Sequence, residues 1–169
     1  MSRKLALLIG FVVAVVSVGA ALVSTGGNEA NAAIKVRQIY MSAVEWKGSS
    51  NVSKEAFPTS PLPSGGGYER FEPGNAELAG QASGTWAIET YRFDTAVVAA
   101  CKGERVVLKI FGVNAKSHEI TIPDFDKDFT VYRGQLATSV FKVKETGIFP
   151  IICITHKPSH TADLIVLDC

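Results

Sequence analysis

From Thr85 onward the chain runs in short apolar–polar alternations rather than long stripes. His118–Ile122 (HEITI) and Thr138–Val143 (TSVFKV) alternate in the manner of strands, which send successive side chains to opposite faces. Trp86–Phe93, Ala96–Cys101, Glu104–Phe111, Phe129–Tyr132, Phe149–Ile152 and Leu164–Leu167 are apolar runs of strand length. Lys102-Gly103, Arg133-Gly134 and Thr146-Gly147 punctuate them as turns. The first of these turns predicts that Ala96–Cys101 and Glu104–Phe111 form a hairpin-like pair. Upstream, Ala33–Trp46 alternates in part, through Ile34, Val36 and Ile39, and predicts one more strand. No helical period and no internal repeat is present. The seven to eight short strands at close spacing from Thr85 onward predict an all-β fold, a β-sandwich.

Two segments break the pattern. Residues 47–84 hold 7 Gly, 4 Pro and 6 Ser, including the run PLPSGGG, and predict an irregular insert with no central strand. At the N-terminus Arg3 and Lys4 precede an apolar run from Leu5 to Val23, then a polar stretch and Ala30-Asn31-Ala32. Basic, apolar and small-residue regions in that order read as a signal peptide over 1–32, cut after Ala32. The other reading is an uncleaved membrane anchor, since 19 apolar residues at about 1.5 Å each nearly span a bilayer. Both readings place the domain, 33–169, in the periplasm or otherwise outside the cytoplasm. Any membrane attachment runs through this N-terminal segment alone.

Charge narrows the partners. The whole chain has 17 basic and 16 acidic residues, and removing 1–32 takes away Arg3, Lys4 and Glu29. A neutral surface argues against nucleic acid, which is held through phosphate contacts. At 47% apolar and 20% charged, the composition supports a packed core.

The chemistry is concentrated in one stretch. GIFPIICITHKPSHTADLIVL carries Cys153, His156 and His160, and the one other histidine is His118. Cys153-x2-His156 puts a thiolate and an imidazole around a tight loop between two strands. Soft sulfur with imidazole suits copper or zinc. By strand parity His118 shares a face with Ile120 and Ile122, the core face, and Glu119 takes the opposite one. Three His and one Cys make a complete four-ligand set.

With those residues in view, the pattern Gly103…His118…Gly147-x-Phe149…Cys153-x2-His156 resembles the cupredoxin family over about residues 85–168. The resemblance implies a Greek-key sandwich with one mononuclear copper at its end, held by His118, Cys153 and His156. A blue copper site adds a weak axial Met; Met1 and Met41 are the only methionines, and His160 stands where that Met would be. The ending Cys-x2-His-x3-His is similar to nitrosocyanin, the red copper protein, in which a Glu takes the position of His118. The copper domain of cytochrome oxidase subunit II is a more distant likeness. Its binuclear site needs two cysteines in the loop, and this loop has one. Glu119 and Asp163 enter as weak ligands or as partners of a ligating His; the plainer reading of each is a solvated carboxylate. In a cupredoxin topology Cys101 and Cys169 both fall at the end remote from copper. There they either pair in an oxidising compartment or remain free thiols. The resemblance implies electron transfer with a transient redox partner protein and no catalytic residues. Alternatives are a nitrosocyanin-like centre acting on nitric oxide or oxygen species, copper carriage, and a zinc site.

Overall fold

The computed structural model describes residues 34–75 and 83–169; the signal or anchor segment read at 1–32 lies outside the described residues. Ten strands run in the order β1 (Val36–Asn51), β2 (Tyr68–Phe71), β3 (Thr85–Asp94), β4 (Val97–Cys101), β5 (Arg105–Gly112), β6 (Ser117–Ile122), β7 (Lys127–Tyr132), β8 (Leu136–Lys142), β9 (Gly147–Cys153) and β10 (Thr161–Leu167). They form two five-stranded sheets, β2-β3-β1-β5-β8 and β4-β10-β9-β6-β7. Pairing is antiparallel except for β1 with β5 and β10 with β4. Among the described residues there is no α-helix, and none long and apolar enough to cross a membrane.

The alternation read from the sequence is the alternation that builds the core. Ile39, Met41 and Ala43 of β1 face Val106, Leu108 and Ile110 of β5 on the inner side of one sheet. Ile120, Ile122, Ile151, Cys153, Ala162, Leu164 and Val166 line the other. Each fully buried aliphatic side chain contributes about 1.5–3 kcal/mol relative to exposure.

From Thr85 onward the eight strands β3 to β10 match the seven to eight expected, and the total is ten. Upstream, two expectations change. The Gly/Pro/Ser-rich segment contains β2, a four-residue edge strand too short to leave a pattern. In addition, β1 runs through Asn51, so the irregular insert begins later than residue 47.

The hairpin expected from Ala96–Cys101 and Glu104–Phe111 is also not formed, because β4 and β5 belong to opposite sheets. The turn is a corner. Gly103 takes φ +89°, which a Cβ would disfavour. Ala100 and Val106 then face the same core from two sides. Glu104 secures the corner: its carboxylate accepts the Cys101 amide at 2.9 Å and a two-pronged contact from Arg37 at 2.7 and 2.9 Å. The Arg37 hydrogen bond, with help from the Cys101 amide, holds the Glu104 carboxyl below the usual carboxylate range. A depressed carboxylate contributes stability above its unfolded pKa and loses it as pH falls through the folded pKa. Glu104→Gln is therefore expected to cost about 1 kcal/mol near neutrality, since Arg37 is 41% exposed and screened. Chemical denaturation against pH should show variant and wild type converging below about pH 4. A constant gap across that range would contradict the linkage.

Candidate metal centre

One end of the sandwich collects the donors. β6 opens with Ser117, and the parity of HEITI turns His118 inward with Ile120 and Ile122, all at 1% exposure or less. Across the β6–β9 pair, Ile120 stands opposite Cys153, the last residue of β9. A single 3₁₀ turn, Ile154–His156, follows, and the chain returns to β10 at Thr161. The loop is pinned by its own backbone: the Cys153 amide donates to His160 O at 2.9 Å, and the His160 amide to His156 O at 3.1 Å.

The result is a cluster of His118, Cys153, His156 and His160 whose donor atoms all lie within 4.8 Å of one another. His118 Nε2 donates to the Asn114 carbonyl at 3.0 Å, which fixes the tautomer and leaves Nδ1 as a bare lone pair. That Nδ1 is buried without a partner, and so are both ring nitrogens of His160. His156 Nδ1 lies 3.4 Å from Cys153 Sγ. Buried polar atoms without partners are costly, and a bound cation would relieve His118 Nδ1 and one of the two His160 ring nitrogens. The donor set of three imidazoles and one sulfur fits copper or zinc.

Electrostatics keep the donors ready. Burial lowers all three histidine pKa values, that of His160 to about 3, so the rings are neutral and their lone pairs free. Burial also raises the Cys153 thiol, against backbone N–H groups of His156, Thr155 and Glu119 directed at the sulfur. Those three donors satisfy a thiolate once a cation displaces its proton.

Around the donors stand residues that the sequence did not single out. The Tyr91 ring stacks on His156 at 3.7 Å with 3° between planes, and its hydroxyl donates to Glu45 Oε1 at 2.9 Å. Phe93 packs against His160 at 4.1 Å. The Asn114 side chain bonds both the amide and the carbonyl of Glu45, at 2.8 and 2.7 Å, tying β1 to the backbone carbonyl that orients His118. Parity on β3 does send Tyr91 and Phe93 inward, but it does not say which end of the sandwich they reach.

Two expected residues are not brought in. Glu119 and Asp163 are exposed on the outer faces of β6 and β10, and neither carboxylate joins the four donors. Parity accounts for both, since each neighbours an inward-facing residue: His118 and Ile120 for one, Ala162 and Leu164 for the other. Glu119 serves the site through its backbone N–H instead. Cys101, the last residue of β4, and Cys169, just past the end of β10, form a disulfide with Cα atoms 5.5 Å apart, at the strand ends that lie farthest from the loop. Cys153 remains a free, buried thiol.

No family model and no curated protein matches the chain. Several solved structures share part of its form. The periplasmic domain of subunit II of cytochrome oxidase (CoxB) of Bradyrhizobium japonicum aligns over 42% of this chain with 17% identity and a TM-score of 0.38. The aligned part spans about half, 54%, of that CoxB chain. Auracyanin A, a "blue" copper protein from Chloroflexus aurantiacus, aligns over 45% of this chain and 89% of its own, with 13% identity and a TM-score of 0.39. A reduced amicyanin variant aligns over 45% and 73%, with 16% identity and a TM-score of 0.36.

Proposed function

We propose that the protein is an exported cupredoxin that carries electrons through one copper ion held by His118, Cys153, His156 and His160. The observation that carries this reading is the convergence of four donor atoms within 4.8 Å, with three buried ring nitrogens left unpartnered. Bound copper would supply a one-electron couple. The chain's part is to hold the donors still. His118, Cys153 and His160 are fully buried, and their positions are set by strand parity, a self-bonded loop and stacked aromatic rings. A cage that does not move keeps reorganisation small and water out. Copper is favoured over zinc by the resemblance of the His118…Cys153-x2-His156 pattern to the cupredoxins, since affinity alone does not select the metal.

Export is supported by the N-terminal segment and by a disulfide, which persists in oxidising compartments. A transient redox partner would meet the protein at the loop end, where Ile154 is 47% exposed. Copper carriage is less well supported, because residues 47–84 contain neither Met nor His.

His160 favours a second reading of the same centre, a nitrosocyanin-like red site with a strong fourth nitrogen donor. Visible absorption and electron paramagnetic resonance of the Cu²⁺-loaded protein decide between the two. An intense blue band with small hyperfine splitting would mean a trigonal site of His118, Cys153 and His156. A red species with large splitting would mean four strong donors. Absence of any thiolate charge-transfer band would overturn the copper–cysteine reading. His160→Ala is expected to change that spectrum and to weaken copper binding by at least about tenfold, the loss seen even for groups behind a ligand. An unchanged spectrum and affinity would remove His160 from the ligand set.

A further inference from the structure

The run Gly65-Gly66-Gly67, which looks like slack linker in the sequence, lies against the ligand loop. Gly66 forms a parallel bridge with Pro158. The Ser159 hydroxyl is shared between Gly67 O at 2.9 Å and His156 O at 3.1 Å. A Cβ would clash at Gly65 and Gly67 and be tight at Gly66. At Gly65 it would sit 2.6 Å from Pro158 Cδ, and at Gly66 3.0 Å from the Lys157 carbonyl oxygen. At Gly67 it would fall within the radii of His156 O and Ser159 Oγ. Gly65 and Gly67 also hold φ of +106° and +81°. The residue that follows, Tyr68, opens β2 and pairs with Thr90, the neighbour of Tyr91. The loop is thus held on two sides by the β2–β3 unit: the glycine run bears on its backbone and the Tyr91 ring on the His156 imidazole.

We infer that Gly65–Gly67 is a positioning strap of the metal centre, whose bare backbone fixes where the 154–160 loop carries His156 and His160. The inference rests on the copper reading for its consequence and on the glycine contacts for its geometry. Side chains at these positions would push the loop, and with it two of the four donors, away from His118 and Cys153.

The test uses Gly67→Ala in the full chain, with Gly74→Ala as control. Gly74 has a comparable φ of +88°, but nothing lies within 4 Å of where its Cβ would be, so it isolates backbone strain from contact. Copper affinity, the electron paramagnetic resonance spectrum, and hydrogen exchange of the His160 amide in metal-free protein are measured. Gly67→Ala is expected to lower copper affinity about 10–100-fold, alter the spectrum and speed the exchange. Gly74→Ala should leave all three at wild type. Ser159→Ala, which removes the hydroxyl without adding bulk, should move them the same way by less. It decides the matter if circular dichroism shows Gly67→Ala unfolded. Wild-type spectrum, affinity and exchange in a folded Gly67→Ala would overturn the strap, as would equal effects in Gly74→Ala. If the wild-type protein itself shows no thiolate–copper band, the copper reading fails, and exchange at the His160 amide still judges the strap.

Discussion

Cys153→Ser is expected to abolish the intense visible band of the copper-loaded protein while leaving the sandwich folded. The band of a copper–cysteine centre belongs to the sulfur–metal bond, and the chain has no other free thiol. The fold survives because the change is nearly isosteric. Cys153 is fully buried, so serine brings a hydroxyl into an apolar setting, at about 1–3 kcal/mol if left unpaired. The backbone N–H groups of Glu119, Thr155 and His156 already point at this position and would bond the new oxygen. The net loss should therefore fall near 1 kcal/mol. Absorption, copper competition and thermal unfolding of the metal-free variant check the three parts. A band that persists in the folded variant would exclude sulfur ligation.

Replacing both Cys101 and Cys169 with alanine is expected to give the opposite profile, a large loss of stability with an unchanged metal spectrum. The bridge closes a sequence separation of 68 residues. Loop-closure entropy for such a ring amounts to about 4 kcal/mol, equivalent to a fall in Tm on the order of 10 °C for a domain of this size. The spectrum should hold because β4 and β10 carry the bridge away from the loop end of the sandwich. Calorimetry together with absorption reads both quantities. An unaltered Tm would contradict the stabilising role, and an altered spectrum would show that the two ends communicate.

Much of this was legible in the residue order, for identifiable reasons. Period-two alternation in HEITI fixes the face of His118 without reference to any other strand, and the Cys153–His160 spacing keeps three donors on one short loop. Side-chain face is a local property. Sheet membership is not, which is why the turn after Cys101 reads as a hairpin and folds as a corner between sheets. The same limit hides Tyr91, Phe93 and Asn114. Their types and parity are visible, but their arrival beside His156, His160 and His118 depends on pairings across the whole chain. It also hides the glycine strap, whose purpose lies in a contact with Pro158, more than ninety residues away.

The positions of β1 and β10 set the order in which the molecule can assemble. β1 is the middle strand of its sheet, and β10 lies between β4 and β9 in the other. Both reach back in parallel to strands far along the chain. The consecutive pairs β2–β3, β6–β7 and β9–β10 can form locally, but neither sheet is complete until β1 and β10 make their long-range pairings. The chain must search for distant partners, a kind of folding that runs in milliseconds to seconds rather than microseconds. The donors come from β6 and from the β9–β10 loop, so they face one another only once those pairings exist. An ion arriving earlier would find scattered histidines and a lone thiol; an ion arriving later meets a finished receptacle.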